Sequence, residues 1–248
     1  MQELLGWYRG VARDLPWRRT TDPYAILVSE VMLQQTQVAR VVPRYEAWLQ
    51  RWPTAEALAA APLGDVLAEW VGLGYNRRAK RLWEAARMVA EHGWPEDLRS
   101  LPGVGPYTAA AVGSFAFGRR ELAVDTNARR VFARWGFEPA EGFDELNQAV
   151  MELGATVCTA RVARCDACPV TGCASRGRVV VPARRAPGEG RPERFADSER
   201  YARGRVLAAV AGREPWPEAL GRERIDRALD GLARDGLVVL DAGRARLP

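Results

Sequence analysis

Apolar residues recur at spacings of three and four from Met1 to about Glu152, and the glycines and prolines that interrupt them are separated by helix-length segments. Strand-type alternation is almost absent there. Asp22-Pro23 has the form of an N-cap followed by proline at the first helical position, and predicts a helix running through about Val41. Pro53-Thr54, Ala61-Pro62 and Gly93-Trp94-Pro95 mark further breaks. Residues 177–195 combine Pro, Gly and Arg with little periodicity and read as a linker. Beyond it, Ser198–Val210 and Arg222–Arg234 are predicted helices, and Leu237–Leu240 and Arg244–Leu247 the arms of a short hairpin turning at Asp241-Ala242-Gly243. The expected fold is mainly α, with a helical body over 1–175, a linker over 176–195 and a small winged-helix-like α+β module over 196–248.

Charge divides unevenly along the chain. Residues 1–175 hold 20 Arg/Lys against 20 Asp/Glu, whereas residues 176–248 hold 16 Arg against 11 acidic side chains. A basic tail suits a polyanion such as nucleic acid. No stretch approaches the roughly 20 consecutive apolar residues of a membrane span, and the N-terminus lacks the pattern of a secretory signal, so a cytoplasmic protein without membrane contact is expected.

All four cysteines fall within one short segment, Cys158-x6-Cys165-x2-Cys168-x4-Cys173, with Pro169 after the third. Thiolates bind soft metals, which leaves zinc, an iron–sulfur cluster or no metal. Zinc modules bring two close pairs separated by a finger or ribbon; one C-x2-C pair with two outliers suits a compact loop around a cubane better. The single histidine, His92, sits near a helix end before Gly93 and reads as a surface residue, not a ligand.

Two further segments carry candidate chemistry. In Leu101-Pro102-Gly103-Val104-Gly105 the glycines let the backbone turn tightly at the start of a helix, where open amides and the helix dipole can receive a phosphate; the alternative is an ordinary helical corner. Between Tyr24 and Leu33 only Ser29 and Glu30 are polar, so that helix is expected to be buried. A carboxyl held there is desolvated and keeps a proton near neutral pH, as a general acid must; the alternative is that Glu30 reaches water.

The order of these segments resembles the endonuclease III and MutY families of helix-hairpin-helix DNA glycosylases. LPGVGPYTAAAV resembles their hairpin, AVDTNARRV the segment bearing their catalytic aspartate, and the cysteine segment their [4Fe-4S] loop, although the last interval is one residue short. LPWR at 15–18, SEVMLQQTQV at 29–38 and GLGY at 72–75 closely resemble the MutY-type branch, and the match spans residues 7–175. The resemblance implies a two-lobed core, with a six-helix lobe over about 18–119 and a cluster lobe from 1–17 plus 120–175. It further implies that Glu30 protonates the purine and Asp125 stabilises the oxocarbenium-like sugar, with Asn127 and Tyr107 in support. Gln34, Gln35 and Tyr75 would enter or flank the base stack, and Trp17, Arg18 and Gln148 would line the adenine pocket. Leu101, Gly103, Val104 and Gly105 would bind the DNA backbone, and Cys158, Cys165, Cys168 and Cys173 a [4Fe-4S] cluster. The implied partner is mismatched double-stranded DNA, bound by a monomer.

An N-glycosidic bond to a normal purine breaks when the leaving base is neutralised and the positive sugar is stabilised, which asks for one protonated and one ionised carboxyl. The base must also be flipped out of the stack to be reached. In the bifunctional branch a lysine that forms a Schiff base stands where this chain has Tyr107, and the only lysine is Lys80. A monofunctional glycosylase acting on adenine opposite 8-oxoguanine or guanine is expected. Two departures stand out: Asn76 replaces a second tyrosine after GLGY, and residues 196–248 are too short for the Nudix-like domain that often recognises 8-oxoguanine in the family. The rival functions are a G·T mismatch thymine glycosylase or endonuclease III-like enzyme, and a non-catalytic DNA-binding or redox-sensing iron–sulfur protein.

Overall fold

The computed structural model describes residues 1–179, 194–241 and 243–248. Helices dominate: α1 (Gln2–Val11), α2 (Pro23–Leu33), α3 (Val38–Arg51), α4 (Ala55–Ala59), α5 (Leu63–Trp70), α6 (Arg77–His92), α7 (Pro106–Phe117), α8 (Thr126–Trp135), α9 (Asp144–Thr156), α10 (Glu199–Val210) and α11 (Arg222–Arg234). The described strands, β1 (Val239–Asp241) and β2 (Arg244–Arg246), pair antiparallel with Leu240 opposite Ala245. Among the described residues no helix is long and apolar enough to cross a membrane.

Local chemistry fixes several helix ends. The two carboxylate oxygens of Asp22 accept from the amides of Tyr24 (3.2 Å) and Ala25 (3.1 Å), the expected cap of α2. Thr54 caps α4 and Ser198 caps α10 in the same way. The helix expected to continue to Val41 instead stops at Leu33 and resumes as α3 at Val38. At the break Gln35 takes a left-handed φ of 55°, unusual for a residue with a side chain. The buried Arg78 guanidinium compensates, donating from Nη1 to the carbonyls of Val31 (2.7 Å), Met32 (3.2 Å) and Gln34 (2.6 Å).

The chain forms two compact units. The first comprises Met1–Glu30 and the described part of Val104–Glu189. Its core joins Leu4, Leu5 and Tyr8 of α1 to Ala128, Val131 and Phe132 of α8 and to Leu146, Ala149, Val150 and Leu153 of α9. Cys158, Cys168 and Cys173 pack against the same cluster, so the cysteine segment is tied to the helices and not hung from them. Each large side chain buried in this way stabilises the fold by about 1.5–3 kcal/mol.

The second unit comprises Val31–Gly103 and the described part of Gly190–Pro248. Trp48 and Trp70 are fully buried and meet edge-on at 5.5 Å between ring centres. Along α6 a buried stripe of Arg78, Leu82, Ala85, Ala86 and Val89 faces this core. The C-terminal segment belongs to the same unit: α10 packs on α11, and Lys80 donates to the carbonyl of Asp235 at 3.1 Å. Leu237 and Val238, expected to be part of a strand, are buried in the core, so pairing starts only at Val239. Of the expected linker and turn, residues 180–193 and Ala242 lie outside the described residues.

Candidate active site

The first unit gathers Glu30, Tyr107 and Asp125 from three different helices. Glu30 lies on α2, among Ile26, Leu27 and Val28, and is only 6% exposed. Burial pushes its pKa up to about 7; a hydrogen bond from the Tyr107 hydroxyl opposes the rise, and the negative charge of Asp125 adds to it. Of the two readings open for this residue, burial holds and escape to water does not. Tyr107, on the first turn of α7, is raised well above its usual range by burial first and then by Glu30, so it stays a hydrogen-bond donor. Its hydroxyl also lies 4.0 Å from the Met151 sulfur of α9.

Asp125 caps α8. One carboxylate oxygen accepts from the Ala128 amide at 2.6 Å and the other from the Asn127 side-chain amide at 2.9 Å. The helix N-terminus adds favourable dipole charge at that carboxylate. Asn127 is held in turn by Arg130, whose guanidinium donates to the Asn127 side-chain oxygen at 2.8 Å, to the Gly154 carbonyl at 2.7 Å and to the Cys158 carbonyl at 2.9 Å. Gly154 permits this arrangement, since a Cβ there would stand 2.8 Å from the Asn127 Cβ. The segment leading into Asp125 is pinned by the buried Asn147, which donates to the Glu121 carbonyl (2.8 Å) and Ser114 hydroxyl (2.9 Å) and accepts from the Ala123 amide (3.0 Å).

The other expected residues of this unit lie around α1 and α9. Trp17 and Arg18 form a short 3-10 turn after the buried Leu15. Arg18 and Arg13 both bind Glu152, a fully buried carboxylate, at 2.8 and 2.7 Å. Burial alone would raise the pKa of Glu152, but the two arginines overturn that effect and hold it below its usual value. The Gln148 side-chain oxygen accepts from the Tyr8 hydroxyl at 2.7 Å, and its amide donates to Asp144. Asn147, Arg130, Met151 and Glu152 were not singled out from sequence. The available signal for Asn147 and Glu152 was a polar residue on the apolar face of an amphipathic helix.

In the hairpin, Leu101 and Val104 are buried and Gly103 takes a φ of 81°. A Cβ at Gly103 would stand 2.9 Å from the Arg81 Cβ, so this position needs glycine for both conformation and space. Gly105 differs from the expectation of two turning glycines: its φ of −90° suits any residue, and it serves as the N-cap of α7 with open space around it. In the second unit, Gln34, Gln35 and Tyr75 line one cavity of about 480 Å³.

The four cysteines, all partly exposed, line a single cavity together with Arg134, Arg164 and Arg176. Arg134 donates to the Cys158 sulfur at 3.3 Å, and the Cys173 thiol donates to the Arg134 carbonyl at 3.2 Å. The shorter last interval therefore does not remove Cys173 from the group. Among the described residues no three histidine, cysteine or carboxylate side chains close on a single-ion site.

Residues 28–156 match the family described as HhH-GPD superfamily base excision DNA repair protein. The chain belongs to this superfamily, in the MutY-type branch defined by its similarity to curated adenine DNA glycosylases. It is 42% identical to the adenine DNA glycosylase of Mycobacterium tuberculosis, over 99% of this chain and 92% of that protein. It is also 42% identical to that of Homo sapiens, over 88% of this chain and 47% of the human protein. Among solved structures, a thermostable thymine-DNA glycosylase matches with a TM-score of 0.65 at 28% identity, over 72% of this chain and 95% of that one. A non-covalent endonuclease III–DNA complex matches in fold with a TM-score of 0.60 at 24% identity, over 71% and 92% of the two chains.

Proposed function

We propose that the protein is a monofunctional adenine DNA glycosylase that hydrolyses the N-glycosidic bond of adenine paired with 8-oxoguanine or guanine. The observation that carries this reading is the pairing of a dry Glu30, with a pKa of about 7, and a helix-capping Asp125 near enough to influence it electrostatically. Glu30 delivers its proton to the leaving purine, and Asp125 stabilises the positive sugar left behind. Asn127 and Tyr107 orient the two carboxyls. Water then completes the hydrolysis. Tyr107 cannot form an imine, so the product is an abasic site with an intact strand.

Duplex DNA with the target nucleotide flipped out is the proposed substrate. Gln34, Gln35 and Tyr75 flank the base stack, and the hairpin of Leu101, Gly103, Val104 and Gly105 takes a phosphate at its open amides. Trp17, Arg18 and Gln148 line the base pocket. In this reading residues 1–175 form the glycosylase core, 176–195 a linker and 196–248 a small C-terminal module, the protein acting as a monomer in the cytoplasm, associated with the nucleoid through DNA. The adenine reading is favoured over thymine by 42% identity across nearly the whole chain to adenine enzymes, against 28% across 72% to the thymine enzyme.

Cys158, Cys165, Cys168 and Cys173 would hold a [4Fe-4S] cluster. The four thiols line one cavity, one C-x2-C pair with two outliers suits a compact cubane loop better than zinc, and the flanking arginines fit the negative charge of such a group. When bound, the cluster supplies a rigid organiser for the loop; the proton transfer belongs to the carboxyls. A base-release assay on duplexes carrying A opposite 8-oxoguanine, A opposite G and T opposite G tests the proposal. Adenine release visible as strand scission only after hot alkali supports it. Preferred release of thymine, or release of no base, contradicts it.

A further inference from the structure

The cavity that holds Gln34, Gln35 and Tyr75 has a second wall built by the C-terminal module. Arg200, Arg203 and Gly204 of α10 and Asp235 after α11 face Arg77, Arg78 and Arg81 of α6 across a space of about 480 Å³. Five guanidinium groups thus share one cleft with a single carboxylate. Asp235 is committed to Arg203 and lies 3.7 Å from Arg77, while Arg78 is spent on backbone carbonyls. Arg81 and Arg200 make no ion pair among the described residues, and both are exposed.

Arg200 nonetheless packs on aromatic neighbours. Its guanidinium lies over the Tyr75 ring at 4.8 Å and over the Phe195 ring at 4.8 Å, and it donates to the Tyr75 hydroxyl, a neutral partner that leaves its charge uncompensated. Tyr75 itself sits in the left-handed region at a φ of 49° and carries Arg78 at 5.4 Å from its ring. A planar cation fixed by stacking on two rings loses little freedom when it meets a planar or tetrahedral anion. Like charges crowded around an open cleft are relieved when an anion enters it.

We infer that α10 completes a phosphate-binding cleft, in which Arg200 from the C-terminal module and Arg81 from α6 grip the phosphodiester backbone of the substrate duplex beside Tyr75. The C-terminal module is then a part of the DNA-binding surface, contributing a backbone clamp and no base-reading group of its own. The inference rests on the DNA-glycosylase reading above, because the occupant it commits to is duplex DNA.

The test is equilibrium binding of the full-length protein to a duplex carrying 2′-fluoroadenosine opposite guanine, which resists hydrolysis, over a series of salt concentrations. Each phosphate contact contributes about 0.9 to the slope of log affinity against log salt. Arg81→Ala and Arg200→Ala should each lower the slope by about 0.9, and the double variant by about twice that. Arg200→Lys, which keeps the charge but not the stacked plane, should keep the slope. Arg222→Ala on the exposed face of α11 should match the wild type. Unchanged slopes in both alanine variants overturn the clamp, as does an Arg200→Lys variant that loses as much as alanine, since Arg200 would then act only by holding Tyr75. Polyglutamate that displaces the duplex from the wild type but not from the variants would assign the cleft to an acidic protein and also overturn it. A wild type without salt-dependent duplex binding overturns the DNA reading itself, a result distinguishable from wild-type binding with unaffected variants. Arg81→Ala lies outside the C-terminal module, so a folding failure at Arg200 leaves that arm intact.

Discussion

The two units handle charge in opposite ways. Around Glu30 the protein removes water, so one carboxyl is kept near neutrality and its few partners act strongly. Around Tyr75 an open cleft collects five arginines with one acid; Arg78 is buried on backbone carbonyls, but Arg77, Arg81 and Arg200 are exposed, so their charges are screened and each acts as one of several. The contrast separates two tasks. Bond cleavage needs a proton held at one atom, which a low dielectric provides, whereas holding a long polyanion needs many interchangeable contacts. Substitutions in the first unit should therefore change rates steeply with little effect on affinity, and substitutions in the second the reverse.

The largest effect is expected at the paired carboxyls. Glu30→Gln should slow base release by about 10²–10⁴-fold in single-turnover measurements, with DNA affinity little changed. Asp125→Asn should cost about 10²–10³-fold through lost electrostatic stabilisation. If either variant instead loses affinity and keeps its rate at saturation, the division between units fails.

Stability should show the next effect. Between pH 4.5 and about 7 the folded chain keeps a Glu30 proton that the unfolded chain has lost, so stability should fall by about 3 kcal/mol as pH rises through that window. Denaturant titrations should find that decline in the wild type and its loss in Glu30→Gln. Glu152→Ala should destabilise the protein by about 3 kcal/mol, because Arg18, 14% exposed, is left without its carboxylate. Iron analysis sharpens the contrast from the cysteine side: purified protein should carry iron, and Cys165→Ser should lose it together with the order of the loop. Zinc in place of iron would refute the cluster.

The smallest expected effect is at Tyr107. Its hydroxyl favours the ionised form of Glu30, so Tyr107→Phe should raise the Glu30 pKa and shift the alkaline limb of the rate profile to higher pH. A shift to lower pH would show that the hydroxyl acts elsewhere.

Much of this site was legible in the sequence because it depends on local pattern. The apolar run around Glu30 announces burial, whereas Asp125 was reached only through the resemblance of AVDTNARRV to the family's catalytic segment, and its capping of α8 emerged in the fold. Asp22-Pro23 gave the start of α2 by local pattern as well. The end of α2 did not follow, because it is set by Arg78, more than forty residues away, which receives the released carbonyls and permits the left-handed Gln35. Asn147 and Glu152 were missed likewise: each makes sense only through partners from distant segments, and from sequence alone each looks like a polar lapse on an apolar helix face. The cationic cleft was legible only as a basic tail, since which arginines share a space is decided by how α10 packs in the second unit.

The most direct test is the single-turnover rate of adenine release from an A opposite 8-oxoguanine duplex, measured against pH for the wild type and for Glu30→Gln. The account predicts a wild-type rate that is sustained below about pH 7 and falls tenfold per pH unit well above it, with no such limb in the slow Gln variant. A Gln variant that releases adenine at the wild-type rate would contradict it.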